Sequence, residues 1–183
     1  MNKSEARDIL VSCLKPPTIC RVLFQYHNYD EFFFPLKVSE KLFLGVSEND
    51  FRLDGYTVRR LKDIVQAEPV RGTYLKIHRA EGTLNRLHLP PLPIHDWHTV
   101  CDALSASNEL VILECDTKEN ENRFLCGKFT AVATPGIRFL PFDGDGVWQG
   151  HPVTILYNTI TAITFGSRYI TTFAKYLPPC PIS

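Results

Sequence analysis

A chain of 183 residues makes one domain or two small ones. Its 44% hydrophobic and 22% charged content suits a packed core and argues against disorder. Twenty basic and twenty acidic groups cancel, which removes the simplest case for nucleic-acid binding, a strong net positive field. Residues 1–90 carry 14 basic against 11 acidic groups and residues 91–183 carry 6 against 9, a mild asymmetry that suits docking of one half on the other.

In chain order, "SEARDILVSCLK" places Ile9, Leu10, Cys13 and Leu14 at helical spacing, with Ser4 as the expected N-cap and Pro16-Pro17 as the stop. The period then changes to two. "CRVLFQY" sets Val22, Phe24 and Tyr26 on one side, as a half-buried strand does. "FFFPLKVSE" and "KLFLGVSE" read as further short strands, with Pro35 confining the first to an edge or a bulge. "NDFRLDGY" is turn material, and "YTVRRLKDI" with "IVQAEPV" completes about five strands.

Residues 81–108 read as a Pro-rich linker followed by a helix, in which Asp96 caps and Trp97, Val100, Cys101 and Leu104 recur every three or four positions. A second β region follows: "ELVILECD", a polar turn "TKENEN", the long "RFLCGKFTAVAT" interrupted by Gly127, "GIRFLPFD", the turn "GDGVWQGHP", then "VTILYNT" and "ITAITFG". Laid over the first region, "GYTVRRLKDI" meets "GHPVTILYNTI". Gly55 then falls on Gly150, Val58 on Thr154, Leu61 on Tyr157 and Ile64 on Ile160. The order of strands and turns agrees as well as the residues do, which points to duplication.

The stretch "GVWQGHPVTILYNTITAITFGSRYITTFAKYL" resembles the closing half of an uncharacterised bacterial family of tandem Sm-like barrel proteins, and "DGYTVRRLKDI" resembles the matching part of its first module. The resemblance covers roughly residues 20–80 and 109–177. It implies a mainly β fold of two small five-stranded barrels in tandem, over 18–80 and 109–183, to which the residues themselves add an N-terminal helix over 1–17 and the Pro-rich linker and helix over 81–108. It implies no activity. RNA-binding Sm proteins have a bend glycine in the second strand, where Gly127 stands here, and an Asn in the next turn, where "ATPGIRF" has none. The first module reads "FFPLKVSEKLF" and lacks the glycine as well.

Reactive groups are sparse. His95 and His98 in "HDWH" could share one helix face, but metal sites declare three or four ligands, so they are read as solvent-facing. Asp143 and Asp145 in "FDGDGVW" lack the third acid and the Glu of a calcium loop and are read as a β-turn. Arg52, Arg59, Arg60 and Lys62 form the most basic patch, with Arg60 and Lys62 expected on one strand face and Arg59 on the other, a pattern that also suits a solvated edge strand; Arg52, Arg60 and Lys62 are the candidate contacts to a partner or a nucleic acid. Ile64, Trp148, Ile160 and Phe165 are assigned to the core.

No P-loop, G-x-S-x-G or G-x-G-x-x-G occurs, and no catalytic group, metal or cofactor is expected. Six cysteines without CxxC spacing, together with the lack of a leader or a membrane-length apolar run, point to a reducing cytoplasm and no membrane. The leading expectation is a non-enzymatic protein-binding or scaffolding module that associates with a protein partner or with itself. RNA binding is the alternative, and a metal-dependent hydrolase around the helix histidines is the weakest reading.

Overall fold

Ten antiparallel strands lie in one continuous sheet in the computed structural model, which describes residues 1–116 and 123–182. The expected turn "TKENEN" lies outside the described residues. The first half comprises helix α1 (Lys3–Ser12) and strands β1 (Cys20–Phe24), β2 (Asp30–Val38), β3 (Leu42–Asn49), β4 (Arg52–Arg60) and β5 (Ile64–Pro69), then helix α2 (Thr73–Ala80). The second half repeats this plan: helix α3 (Trp97–Ser107), strands β6 (Val111–Cys115), β7 (Arg123–Val132), β8 (Gly136–Phe142), β9 (Val153–Leu156) and β10 (Ala162–Phe165), then helix α4 (Arg168–Phe173).

The sheet order is β5-β1-β2-β3-β4-β10-β6-β7-β8-β9, so the same five-strand order occurs twice, joined by a ladder between β4 and β10. Register repeats as well as order. Leu44 opposes Val58 in the first half as Arg138 opposes Thr154 in the second; Leu23 opposes Gln66 as Glu114 opposes Ala162. Both the fourth and the fifth strands are therefore related by 96 positions, the offset that places Ile64 on Ile160. The sheet is open: among the described residues neither half pairs its fourth strand with its own fifth. What the sequence suggested as two packed units is one ladder through both.

Local chemistry explains the elements. In α1, Asn2 caps rather than Ser4, because its side chain accepts from the Glu5 N–H while Glu5 accepts from the Asn2 N–H, a reciprocal capping box. Ala6, Leu10 and Cys13 then fall on one buried face. Asp96 caps α3 as expected, accepting from the Thr99 N–H at 2.9 Å. Helices α2 and α4 were not expected. Each follows the fifth strand of its half and covers a small apolar cluster, Ile19, Phe34, Val46 and Leu75 in one case and Ile112, Cys126, Phe142 and Ile170 in the other.

The largest core is shared. Leu42, Leu44 and Val58 of the first half pack with Leu113, Phe139, Ile160, Ile163 and Phe165 of the second and with Trp97, Val100 and Leu104 of α3. A second core joins α1 to Phe24, Phe33, Phe43 and Ile64. Trp148 sits at the rim instead of in a core: it is partly buried, edge-on to Phe142, and donates from Nε1 to the Pro178 carbonyl. No helix of the described residues is long and apolar enough to cross a membrane.

Candidate functional site

The β4–β10 ladder brings charged groups of both halves together. Ala162 opposes Arg59 on one side and Glu114 on the other, so those two residues stand two strands apart, roughly 10 Å, on one face of the sheet. The small Ala162 side chain between them leaves room for a long one to cross. Arg59 does so, placing Nη2 3.4 Å from Glu114 Oε2 and 2.9 Å from Glu31 Oε2, with its guanidinium 4.5 Å above the Phe24 ring. Next to it, His27 Nδ1 lies 2.7 Å from Glu31 Oε1 and its Nε2 3.8 Å from Asp116 Oδ2, which also accepts from Thr161 Oγ1. The side chains of Arg59, His27 and Asp116 are only 6%, 9% and 6% exposed.

Three carboxylates thus face one guanidinium and one imidazole. Burial pushes the Glu114 carboxyl up, with Arg59 acting against it. The hydrogen bond to Glu31 raises His27, against its desolvation. One ligand atom each of His27, Glu114 and Asp116 lie within 4.8 Å of one another, the sole such three-residue group among the described residues. With Glu31 orienting Nδ1, these residues have the donor set of a metal site, but Arg59 already supplies positive charge to Glu114. The arrangement acts as a lock, since His27, Glu31 and Arg59 belong to the first half and Glu114 and Asp116 to the second.

The lock has a pH signature. A histidine whose folded value is raised contributes stability that is full below its ordinary value of 6.5 and is lost as pH climbs through the folded value. Glu114 has the same sign, because its raised value favours the protonated form in the folded state. The melting temperature is therefore expected to be higher near about pH 6 than near about pH 8, and His27→Gln, which cannot titrate, to flatten that difference. A wild-type melting temperature that rises over this interval, or a His27→Gln profile parallel to wild type, would refute the assignment; differential scanning fluorimetry across the range measures it.

A second feature opens between the halves, a cleft of about 510 Å³ reached by α1, the β2–β3 and β4–β5 turns, the start of α3 and the turn after β9. Lys62 lines it from a 3₁₀ turn, Leu61–Asp63, and not from the strand face where it was expected. Arg60 forms its wall but is buried and fully engaged: it is ion-paired through Nε with Asp63, and it donates to the Asn158 carbonyl at 2.8 Å and the Tyr26 hydroxyl at 2.7 Å. Asp63 accepts further bonds from Gln25 and Tyr26. Of the three basic residues singled out, only Arg52 and Lys62 are exposed, and Arg52 does not line the cleft. Two polar groups of lining residues, Trp97 Nε1 and the Tyr157 hydroxyl, are buried without a hydrogen-bond partner. Burial pushes the Tyr157 hydroxyl up to about 12, so it stays a neutral donor.

The other sequence candidates fall apart spatially or resolve into structure. His95 and His98 are exposed and join no three-ligand group among the described residues. Asp143 Oδ1 accepts from the Asp145 and Val147 N–H groups, so its turn is closed by its own backbone. Burial raises the Cys101 thiol to about 12 and the Cys126 thiol to about 11, leaving neither as thiolate at neutral pH. Of the lock residues the sequence points only to Arg59, as one of a basic run: His27 reads as turn material, and an acid at the end of a strand looks solvent-bound. No family model, curated protein or solved structure matches the chain.

Proposed function

We propose that the chain is a non-enzymatic binding module built from two Sm-like halves, working through protein contacts that include association with copies of itself. The five-strand order, found twice, supports the Sm-like reading, in the form of an open sheet. Five buried, unbridged thiols suit a reducing compartment such as the cytoplasm.

The observation that carries the proposal is the seam itself. It joins the fourth strand of one half to the fifth of the other, and it leaves β5 and β9, the remaining fifth and fourth strands, at the two ends of the sheet. A sheet edge offers unpaired N–H and C=O groups to any strand of matching register. The same register shifted by 96 positions sets Gln66 against Ile155 and Glu68 against Val153 of a second copy. Pro69 and Pro152, at the same end of that pairing, stop it from running further.

Such contacts are head to tail and make rings or chains, not closed two-fold dimers. Sedimentation velocity is expected to show association that grows with concentration, lost when the exposed β9 residues Thr154 and Leu156 are both replaced by lysine. A wild type that stays monomeric up to ~100 µM, or a double lysine variant that associates like wild type, would overturn the proposal. RNA binding has less support, because Arg60 is committed to Asp63, Tyr26 and Asn158.

A further inference from the structure

We infer that the cleft between the halves is a binding site for a small organic phosphate carrying a planar ring, of the nucleoside monophosphate class. Three lysines line it from separate elements: Lys3 from α1, Lys41 from the β2–β3 turn and Lys62 from the 3₁₀ turn. None has a carboxylate within ion-pairing distance among the described residues, although Arg60 beside them is fully paired. The carboxylate in the lining, Asp96, is held by the α3 cap, where Thr99 donates to it from both its backbone N–H and its hydroxyl. Gathering three unpaired cations around one opening is unfavourable unless an anion joins them, and a phosphate carries enough charge and enough acceptor oxygens to meet more than one.

The uncharged part of the ligand follows from the two unpartnered donors. Trp97 is 7% exposed, and its indole N–H meets no acceptor; the Tyr157 hydroxyl is likewise enclosed and unpaired. Buried polar groups in folded proteins almost always have partners, so the two orphans, which belong to lining residues but have no surface open to the cleft, are donors that an acceptor satisfies once a side-chain shift uncovers them. An indole N–H can only donate, so the partner must accept, as ring nitrogens, carbonyls and sugar oxygens do. The same rings, with His98 edge-on to Tyr157 at 5.8 Å, offer flat apolar surface to a heteroaromatic ring. A volume of about 510 Å³ falls within the range of sites that enclose small organic ligands.

Isothermal titration of the intact protein with adenosine monophosphate and uridine monophosphate tests this. Saturable binding is expected with a dissociation constant on the order of 10–100 µM that weakens as salt rises. Replacing the exposed Lys41 and Lys62 with glutamate should weaken it at least ~10-fold, and Tyr157→Phe, which keeps the ring, should weaken it several-fold. Adenosine and inorganic phosphate should each bind at least ~10-fold more weakly than the monophosphate, because each fills half of the site. Four results would overturn the inference: no saturation with either nucleotide by about 10 mM; inorganic phosphate binding as well as the nucleotide; unchanged affinity in the double glutamate variant; or binding of a short uridine oligonucleotide where the mononucleotides fail, which would make the surface one for extended RNA.

Discussion

Replacing Arg59 with methionine is expected to destabilise the protein by about 3–5 kcal/mol, the range for removing one member of a buried ion network and leaving its partners charged. Arg59 is 6% exposed and, among the described residues, is the one cation bonded to both Glu31 and Glu114, which belong to different halves. Methionine keeps most of the stem that passes Phe24, so the loss reports charge and hydrogen bonding more than packing. Arg59→Lys should fall between, because a single ammonium cannot fork to two carboxylates as a guanidinium does. Adding Glu114→Gln to Arg59→Met should return part of the loss, since one of the stranded charges is then gone. Arg52→Met, on the same strand but exposed, should stay within about 0.5 kcal/mol. Urea unfolding of the four variants decides it. An Arg59→Met cost no larger than that of Arg52→Met would show that the seam is held by backbone pairing and apolar contact alone.

Arg59 also shows where the sequence stops being legible. Alternation found its strand but ran it over 56–64, where the structure has Arg52–Arg60 followed by a 3₁₀ turn, and it placed Arg59 and Arg60 on opposite faces. It read both as solvated, because a strand with arginines on either side looks like an edge. In the structure β4 lies in the middle of a ten-stranded sheet with both faces covered, so the two arginines are buried in two separate networks. That placement depends on β10 pairing with β4, and no property of "ITAITF" names a partner more than 100 residues away. The repeated strand order was legible because its register is written in matched positions, Ile64 with Ile160 among them. The closing helices were not, although Tyr74, Leu75 and His78 in α2 have helical spacing, because the first barrel is expected to run to residue 80 with nothing after its last strand read as a helix. The cleft was legible only in pieces: Lys62 and the "HDWH" stretch were both noticed, and only the fold sets them in one opening.

Gly127→Ala is expected to cost more than about 4 kcal/mol, an exceptional loss for adding one methyl group. A Cβ at Gly127 would lie 2.1 Å from the Leu140 carbonyl oxygen, 2.8 Å from the Pro141 Cα and 2.9 Å from the Leu140 carbonyl carbon. All three are backbone atoms of β8, so no rotamer can relieve the contact and the β7–β8 ladder would have to separate. The matching position of the first half, 94 residues earlier, is Phe33, which at first reading means that the close approach is absent there. Register shows an exchange instead. Gly45 on β3, which pairs with Pro35, corresponds to Phe139 on β8, so the first half carries a phenylalanine on its second strand and a glycine two positions out of register on its third, and the second half has the two residue types reversed. At Gly45 a Cβ would come 3.2 Å from the Phe33 Cβ and 3.3 Å from the Phe34 carbonyl oxygen, a tighter fit than usual but one that small shifts can relieve. Gly45→Ala should therefore cost clearly less than Gly127→Ala, and Gly144→Ala, with nothing within 4 Å, should be nearly neutral. Thermal and urea unfolding of the three variants give the ranking. Equal losses at Gly127 and Gly144 would mean that β7 and β8 do not approach as closely as this register requires.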